Sequence, residues 1–335
     1  MPNTIYRTLD PLFETFLLLS ASRDPDETRC ETVKALDGLG FDGEQFYAAH
    51  MAVFDDYVAK FRLHCVRGDD DALFFGDSGG SLTLLLLCLL LENREHVSSV
   101  SRLTDKEINA EIMDMCQALF YVEPKRADGD SLIEFVDACP LSEGEKWKLL
   151  RIMKSPAASV QSLTDTINAN VPAFEKALSK VRAPLGKLIA QYADAVAEGN
   201  MSGAFKDSLP ESAEIYPSLA SPVSQLVFSK TGYYGLLSAL LMKPQGPDSE
   251  LLLRRLKALS DASRLQILRS IREKPKYNLE IAEQLGLTAA TMSHHMSVLL
   301  TCGFVGVAKQ DSRVYYHLQE DALRQFIAAL DQLLT

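Results

Sequence analysis

The chain has 335 residues, 47% hydrophobic and 24% charged, a composition that supports a sizeable core and excludes a disordered or fibrous protein. A formal charge of −11 excludes a protein that binds nucleic acid over its whole surface, yet the charge is unevenly spread. Residues 1–250 carry 23 Lys/Arg against 37 Asp/Glu, whereas 251–318 carry ten against five. Six cysteines stand singly with no C-x-x-C pair, which excludes a disulfide framework and a zinc knot. There is no basic-then-apolar leader, and the apolar run 82–91 is half the length that crosses a bilayer, so a cytoplasmic protein without membrane contact is expected.

Residues 1–210 read mostly as helices, over 10–22, 27–37, 42–66, 82–92, 105–120, 130–138, 142–154, 158–169 and 172–198. Breaks fall at 37-DGLGFDG-43, 123-EPKRADGD-130, 155-SP-156 and 199-GNMSG-203; Asp24-Pro25, Thr104 and Thr164 read as helix starts. Between 214 and 237 the pattern changes, and 224-SQLVFS-229 and 233-YYGLL-237 suit short strands or a transition into a helix. The stretch 243-KPQGPDS-249 marks a domain boundary. The expected organisation is a helical domain over 1–242 with an inner hinge near 123–130, a linker over 243–249, and a second domain over 250–335.

The stretch 76-GDSGGS-81 resembles the nucleophile signature of trypsin-like serine proteases, and 48-AAH-50 resembles their histidine context. The resemblance does not survive its surroundings. Such a serine needs a β-barrel loop to aim it, with histidine and aspartate arriving from other strands. Here 28 residues separate His50 from Ser78, and apolar residues at 46, 47, 51, 54, 58 and 61 follow helical spacing. The reading is a glycine-rich turn followed by a buried helix capped by Ser81. No phosphate loop, paired-histidine motif or nucleophile–base constellation points to an enzyme, and no cofactor is expected.

Beyond residue 250 the pattern sharpens. Helices are expected over 250–260 and over 262–273, the latter capped by Asp261 and ended by Pro275. A second pair follows, 278-NLEIAEQL-285 and 289-AATMSHHMSVLLTC-302, joined through Gly286-Leu287-Thr288 in a helix-turn-helix arrangement, with Thr288 as cap. Ala282 lets the two approach, and Ile281, Leu285, Leu287, Met292 and His295 mark the packed faces. The runs 304–309 and 313–318 form a β-hairpin wing around 310-QDS-312, and a last helix over 320–334 carries one apolar stripe. The fold class is thus mainly α, a large helical N-terminal domain followed by a winged helix-turn-helix.

The segments LKALSDASRLQILRSI, LEIAEQLGLTAATMSHHMSVL and RVYYHL resemble the winged helix-turn-helix of ArsR-type bacterial transcriptional regulators over about 85 residues. The resemblance implies a homodimer that binds double-stranded operator DNA, usually as a repressor. It places the recognition helix 289–302 in the major groove and the wing 304–318 on the backbone or minor groove. Dimer contacts fall to 250–260 and 320–334. The family's Ser-x-His-Leu pattern maps onto Ser293, His294, His295 and Met296. Helical geometry puts His295 beside the core and His294 opposite it, flanked by Ala290, Thr291, Ser297 and Val298.

The expected DNA contacts are therefore Thr288, Ala290, Thr291, His294 and Ser297 on the recognition helix, with Lys276 and Lys309 on phosphates and Arg313 on the backbone or in the minor groove. One feature stands against this: 288–301 contain no Lys or Arg. A module that has lost DNA binding and serves protein interaction is the competing reading. Adjacent His294 and His295 cannot readily hold one ion, and the family's known metal positions are occupied by Glu280-Ile281-Ala282-Glu283 and by Asp321 and Asp331 without histidine, so no metal is expected. For residues 1–242, an unknown small-molecule effector and a purely dimerising scaffold both remain open.

Overall fold

The structure, a computed structural model, describes residues 3–39, 41–75, 80–94, 104–120, 131–228, 230–242, 249–287, 289–310 and 313–334. The core of the GDSGG stretch (76–79), the hinge expected at 123–130, linker residues 243–248 and Thr288 lie outside them. Seventeen helices and seven short strands make the chain mainly α among the described residues. No helix there is long and apolar enough to cross a membrane.

The first elements in chain order are β1 (Thr4–Ile5), α1 (Pro11–Ala21), α2 (Pro25–Gly38), α3 (Gly43–His50), α4 (Ala52–Arg62) and α5 (Asp71–Phe74). They are followed by α6 (Ser81–Glu92), α7 (Asp105–Phe120), α8 (Ser131–Ala138), α9 (Glu143–Lys154) and α10 (Pro156–Ala197). The chain divides into two compact units, one of Leu9–Glu31 with Val53–Leu185, the other of Met1–Thr8, Thr32–Ala52 and Gly186–Thr335.

The first unit is helical around α6, the leucine run, whose residues are buried on nearly every side and which packs against α1, α5, α7 and α9. A helix apolar all round belongs at a core's centre. Gly80, not Ser81, occupies the cap position of α6, and the side chain that meets its first turn comes from another helix. Glu145 Oε1 accepts the Leu82 N–H at 2.9 Å, while Oε2 accepts from the Ser142 N–H and hydroxyl in a capping box at the start of α9. One carboxylate thus sits at two positive helix ends. Asp24 and Thr104 begin α2 and α7 as expected, accepting the N–H groups of Glu27 and Glu107.

Two expectations for helix ends are corrected. The segment 42–66 is two helices, broken at the buried Met51. The segments 158–169 and 172–198 are one helix, α10, which runs through Thr164, Pro172 and Pro184. The reason lies in which side the prolines occupy. Val160, Leu163, Ile167, Phe174, Ala177, Val181 and Leu185 form an unbroken buried stripe, while Pro172 and Pro184 are exposed. The carbonyls they orphan belong to Asn168 and Lys180, also exposed, where water replaces the lost donor.

The second unit contains α11 (Gly203–Ser208), β2 (Glu214–Ser218), β3 (Gln225–Phe228), β4 (Thr231–Gly235) and α12 (Ser238–Met242). Their sheet has the order β1-β2-β4-β3, parallel except for the β3–β4 hairpin. Tyr6 stacks on Tyr216 at 4.1 Å between ring centroids, and the buried Tyr192 hydroxyl donates to the Ile215 carbonyl at 2.9 Å. The same unit continues through α13 (Ser249–Leu259), α14 (Ala262–Ser270), β5 (Lys276–Tyr277), α15 (Asn278–Leu285), α16 (Ala289–Thr301), β6 (Val305–Gln310), β7 (Arg313–Leu318) and α17 (Glu320–Leu334). Helix α14 ends three residues earlier than expected, at Ser270. Strands β5, β7 and β6 form an antiparallel three-stranded sheet in that order.

Candidate nucleic-acid interface

Two glycines set the geometry of α15 and α16. Gly286 has φ 65° and ψ 32°, a left-handed conformation that an L side chain adopts at a cost. The Leu287 N–H then reaches the Ala282 carbonyl at 3.0 Å and the Gly286 N–H reaches Glu283 at 3.4 Å, a Schellman ending. Gly303, at φ 75°, closes α16 in the same way, with Gly303 N–H to Leu300 and Phe304 N–H to Leu299, both 3.0 Å. The faces so turned together bury Ile281, Ala282, Met292, Met296 and Leu299 in one cluster with Ile267, Phe304 and Phe326, and Leu285 and Leu287 pack against it. His295 is buried too, with Nδ1 3.9 Å from Asp261 Oδ1.

Of the residues expected to contact DNA, two on α16 have described side chains. Thr291 and Ser297 are exposed. Ala290 and His294 lie on the same helix with backbone alone described. Lys309 and Arg313, likewise described by backbone alone, stand at the closed end of the wing, where Lys309 pairs with Val314 and Gln310 with Arg313. Lys276 pairs with Tyr316 across β5 and β7, and its ammonium donates to Gln284 Oε1 at 2.6 Å, which anchors it beside α15. Val298, which helical geometry sets next to the His294 face, is buried.

The positive balance of this region is partly internal. Arg254 is buried with its guanidinium 4.4 Å above the Phe41 ring. Arg255 donates to the Cys302 carbonyl at 3.1 Å at the C-terminal end of α16; burial, aided by Arg254, holds its pKa below the ordinary guanidinium value. Arg264 lies 3.8 Å from Asp261. The Cys302 thiol is pushed up by burial despite these cations, in keeping with a packing role. Sequence gave no signal for the Arg254–Phe41 contact, because its partners are over two hundred positions apart. The role of α11 was equally unforeseen: this short helix packs against β6, β3 and α16. Among the described residues no group of three or more His, Cys, Asp or Glu could hold a metal ion.

A known family is matched within this region, and similar proteins share about a quarter of the chain. The family model described as "Bacterial regulatory protein, arsR family" matches residues 261–307. The HTH-type transcriptional regulator MJ1325 of Methanocaldococcus jannaschii is 30% identical over 78 residues, which are 23% of this chain and 88% of that protein. The HTH-type transcriptional regulator KmtR of Mycobacterium tuberculosis is 29% identical over 83 residues, 24% of this chain; the match spans 64% of that relative, just under two thirds. Among solved structures, the homodimeric winged helix-turn-helix DNA-binding domain of Mb0332 from Mycobacterium bovis is 28% identical, covering 28% of this chain and 89% of that one with a TM-score of 0.23.

Proposed function

Through its C-terminal segment the chain belongs to the arsR family of bacterial regulatory proteins, and on that premise we propose that it is a sequence-specific DNA-binding transcriptional regulator acting as a homodimeric repressor. The observation that carries the reading is the α15–Gly286–α16 turn backed by the three-stranded wing. In the proposal α16 enters the major groove, and Thr288, Ala290, Thr291, His294 and Ser297 read base edges and methyl groups. Lys276, Lys309 and Arg313 hold phosphates on either side. Residues 1–242 carry a signal or shape the dimer, with 243–249 as the linker.

Self-association through α13 and α17 is supported by apolar side chains without cover: Leu253, Ile327, Leu333 and Leu334 are 56, 62, 60 and 76% exposed. Ile327→Asp is expected to shift the protein to monomer in sedimentation velocity and to weaken duplex binding at least about tenfold, since two half-sites would no longer bind together.

The test is fluorescence anisotropy with DNA from upstream of the protein's own gene, a scrambled duplex, and a pool selected from random sequence. Much tighter binding to upstream or selected DNA, lost in His294→Ala, supports the proposal. The competing reading, a protein-interaction module that has lost DNA binding, is favoured by the lack of Lys and Arg in α16 and by the packing of α11 on it. Failure to enrich any sequence, with or without candidate effectors, would overturn the regulator reading and turn the search to protein partners.

A further inference from the structure

The last turn of α16 does not simply run out of the domain. A cavity of about 350 Å³ lies against it, within the second unit. Val298 and Thr301 form one wall, Leu39 at the end of α2 a second, and Gln225 and Leu226 of β3 with Leu241 of α12 the rest. Beneath it Leu36, Phe46 and Leu241 make a small core of their own, against which Leu39 and Val223 pack, so the floor is built rather than incidental. The volume is at the lower end of the roughly 300–1,000 Å³ of small-molecule sites, room for one substituted ring.

The lining sets the chemistry of an occupant. Among the described residues, every one that lines the cavity is uncharged, and aliphatic side chains alternate with serine, threonine and glutamine. An ion entering here would lose water without gaining a counter-charge from these residues, which favours a neutral occupant. Gln225 adds direction. Its Oε1 accepts the Ser202 N–H at 2.8 Å, which fixes the amide's orientation, and its Nε2 is buried without a hydrogen-bond partner among the described residues. A donor buried in this way is satisfied when a ligand oxygen reaches it, which takes a small turn of the side chain toward the cavity.

We infer that this cavity binds a neutral, mainly apolar small molecule carrying a carbonyl-type acceptor, and that its occupancy alters DNA affinity through the last turn of α16. The coupling half rests on the regulator reading; the binding half does not. Ser297 and Thr301 connect the two, since the Thr301 hydroxyl donates to the Ser297 carbonyl at 2.9 Å, both residues line the cavity, and Ser297 is one of the proposed base contacts. A ligand that fits the cavity better in one setting of this turn shifts the equilibrium toward it, and DNA affinity follows by linkage.

The full chain is titrated with acetophenone, methyl benzoate and toluene, with benzoate as the charged control, by saturation-transfer NMR. Saturable binding of at least one neutral carbonyl probe, with none for benzoate, is expected. Leu226→Trp, which fills the space, abolishes it. Gln225→Leu, which keeps the volume and removes the donor, weakens the carbonyl probes about tenfold and leaves toluene unchanged. No saturable binding of any neutral probe, or binding indifferent to both variants, overturns the site. A bound probe is then expected to move the affinity for the selected duplex about fivefold or more, and not in Leu226→Trp. Probe binding without that shift overturns the coupling alone, whereas a chain that selects no duplex removes the regulator reading and leaves the pocket standing.

Discussion

Asp261 shows how much one side chain does at the start of the C-terminal domain. It caps α14 by accepting the Arg264 N–H at 2.9 Å, lies 3.8 Å from that residue's guanidinium, and faces His295. Burial alone would raise its pKa, but the Arg264 N–H, the Arg264 charge and His295 outweigh it and hold the carboxyl below its ordinary value. A carboxylate that ionises more readily when folded contributes fully above the unfolded pKa, near 4, and the contribution is lost as pH falls through the lower folded value. Urea midpoints measured from pH 7 down to 2 should therefore fall less steeply below pH 4 in Asp261→Asn than in the parent. Asp261→Ala should cost about 1 kcal/mol at pH 7 from the lost cap. At this scale the sequence was informative wherever the cause is local. The caps at Asp24, Thr104 and Asp261 and the turn at Gly286 follow from side chains within a few positions. Arg254 and Arg255 were legible only as charges, since what neutralises their role at the surface is Phe41 and the end of α16.

At the scale of elements, α10 carries the clearest lesson. Proline punctuation predicts a break, but an uninterrupted buried stripe outweighs two lost hydrogen bonds when the orphaned carbonyls face water. The prolines are nonetheless a cost the helix carries. Pro184→Ala is expected to stabilise the protein by about 1–3 kcal/mol, read as a higher denaturation midpoint, since it restores one helical N–H and relieves the clash with the preceding turn. An unchanged or lower midpoint would mean that the proline ring makes packing contacts of its own. The strands tell the complementary story. Strands β6 and β7 were legible because they adjoin in sequence, whereas β5 and β1 are two residues long: β5 pairs with β7 about forty positions on, and the Thr4 and Tyr6 N–H groups donate to the carbonyls of Ala213 and Ile215, about two hundred positions away. No periodicity exists in two residues.

Across the whole molecule the charge split is the most direct experimental handle. Residues 1–250 remain strongly acidic, and several of the ten cations beyond them are engaged with Phe41, Cys302 and Asp261. If Lys276, Lys309 and Arg313 supply the phosphate contacts, a dimer neutralises six phosphates. The plot of log affinity against log salt should then have a slope of roughly −5. Arg313→Ala should flatten it by about 2 while weakening all duplexes alike, whereas His294→Ala should leave the slope and reduce discrimination. A slope near zero would exclude the phosphate assignment. The winged helix-turn-helix and its order of elements were readable from sequence, because capping, turn and hairpin signals agree there. The surroundings of α16 were not, since the cavity wall and α11 come from segments that meet it only in the folded chain.

The packing of α11 along β6 has a consequence for how this protein can be cut. Strand β6 is an outer strand of the wing sheet, with β7 on one side only. Helix α11, from the N-terminal portion of the chain, packs against this strand. A fragment beginning at residue 249 would lose that helix and leave an outer strand without a packing neighbour, and outer strands are the template on which strands from separate molecules join. The excised domain should therefore precipitate or form larger assemblies at concentrations where the intact chain stays dispersed, and a peptide spanning α11 supplied in trans should suppress it.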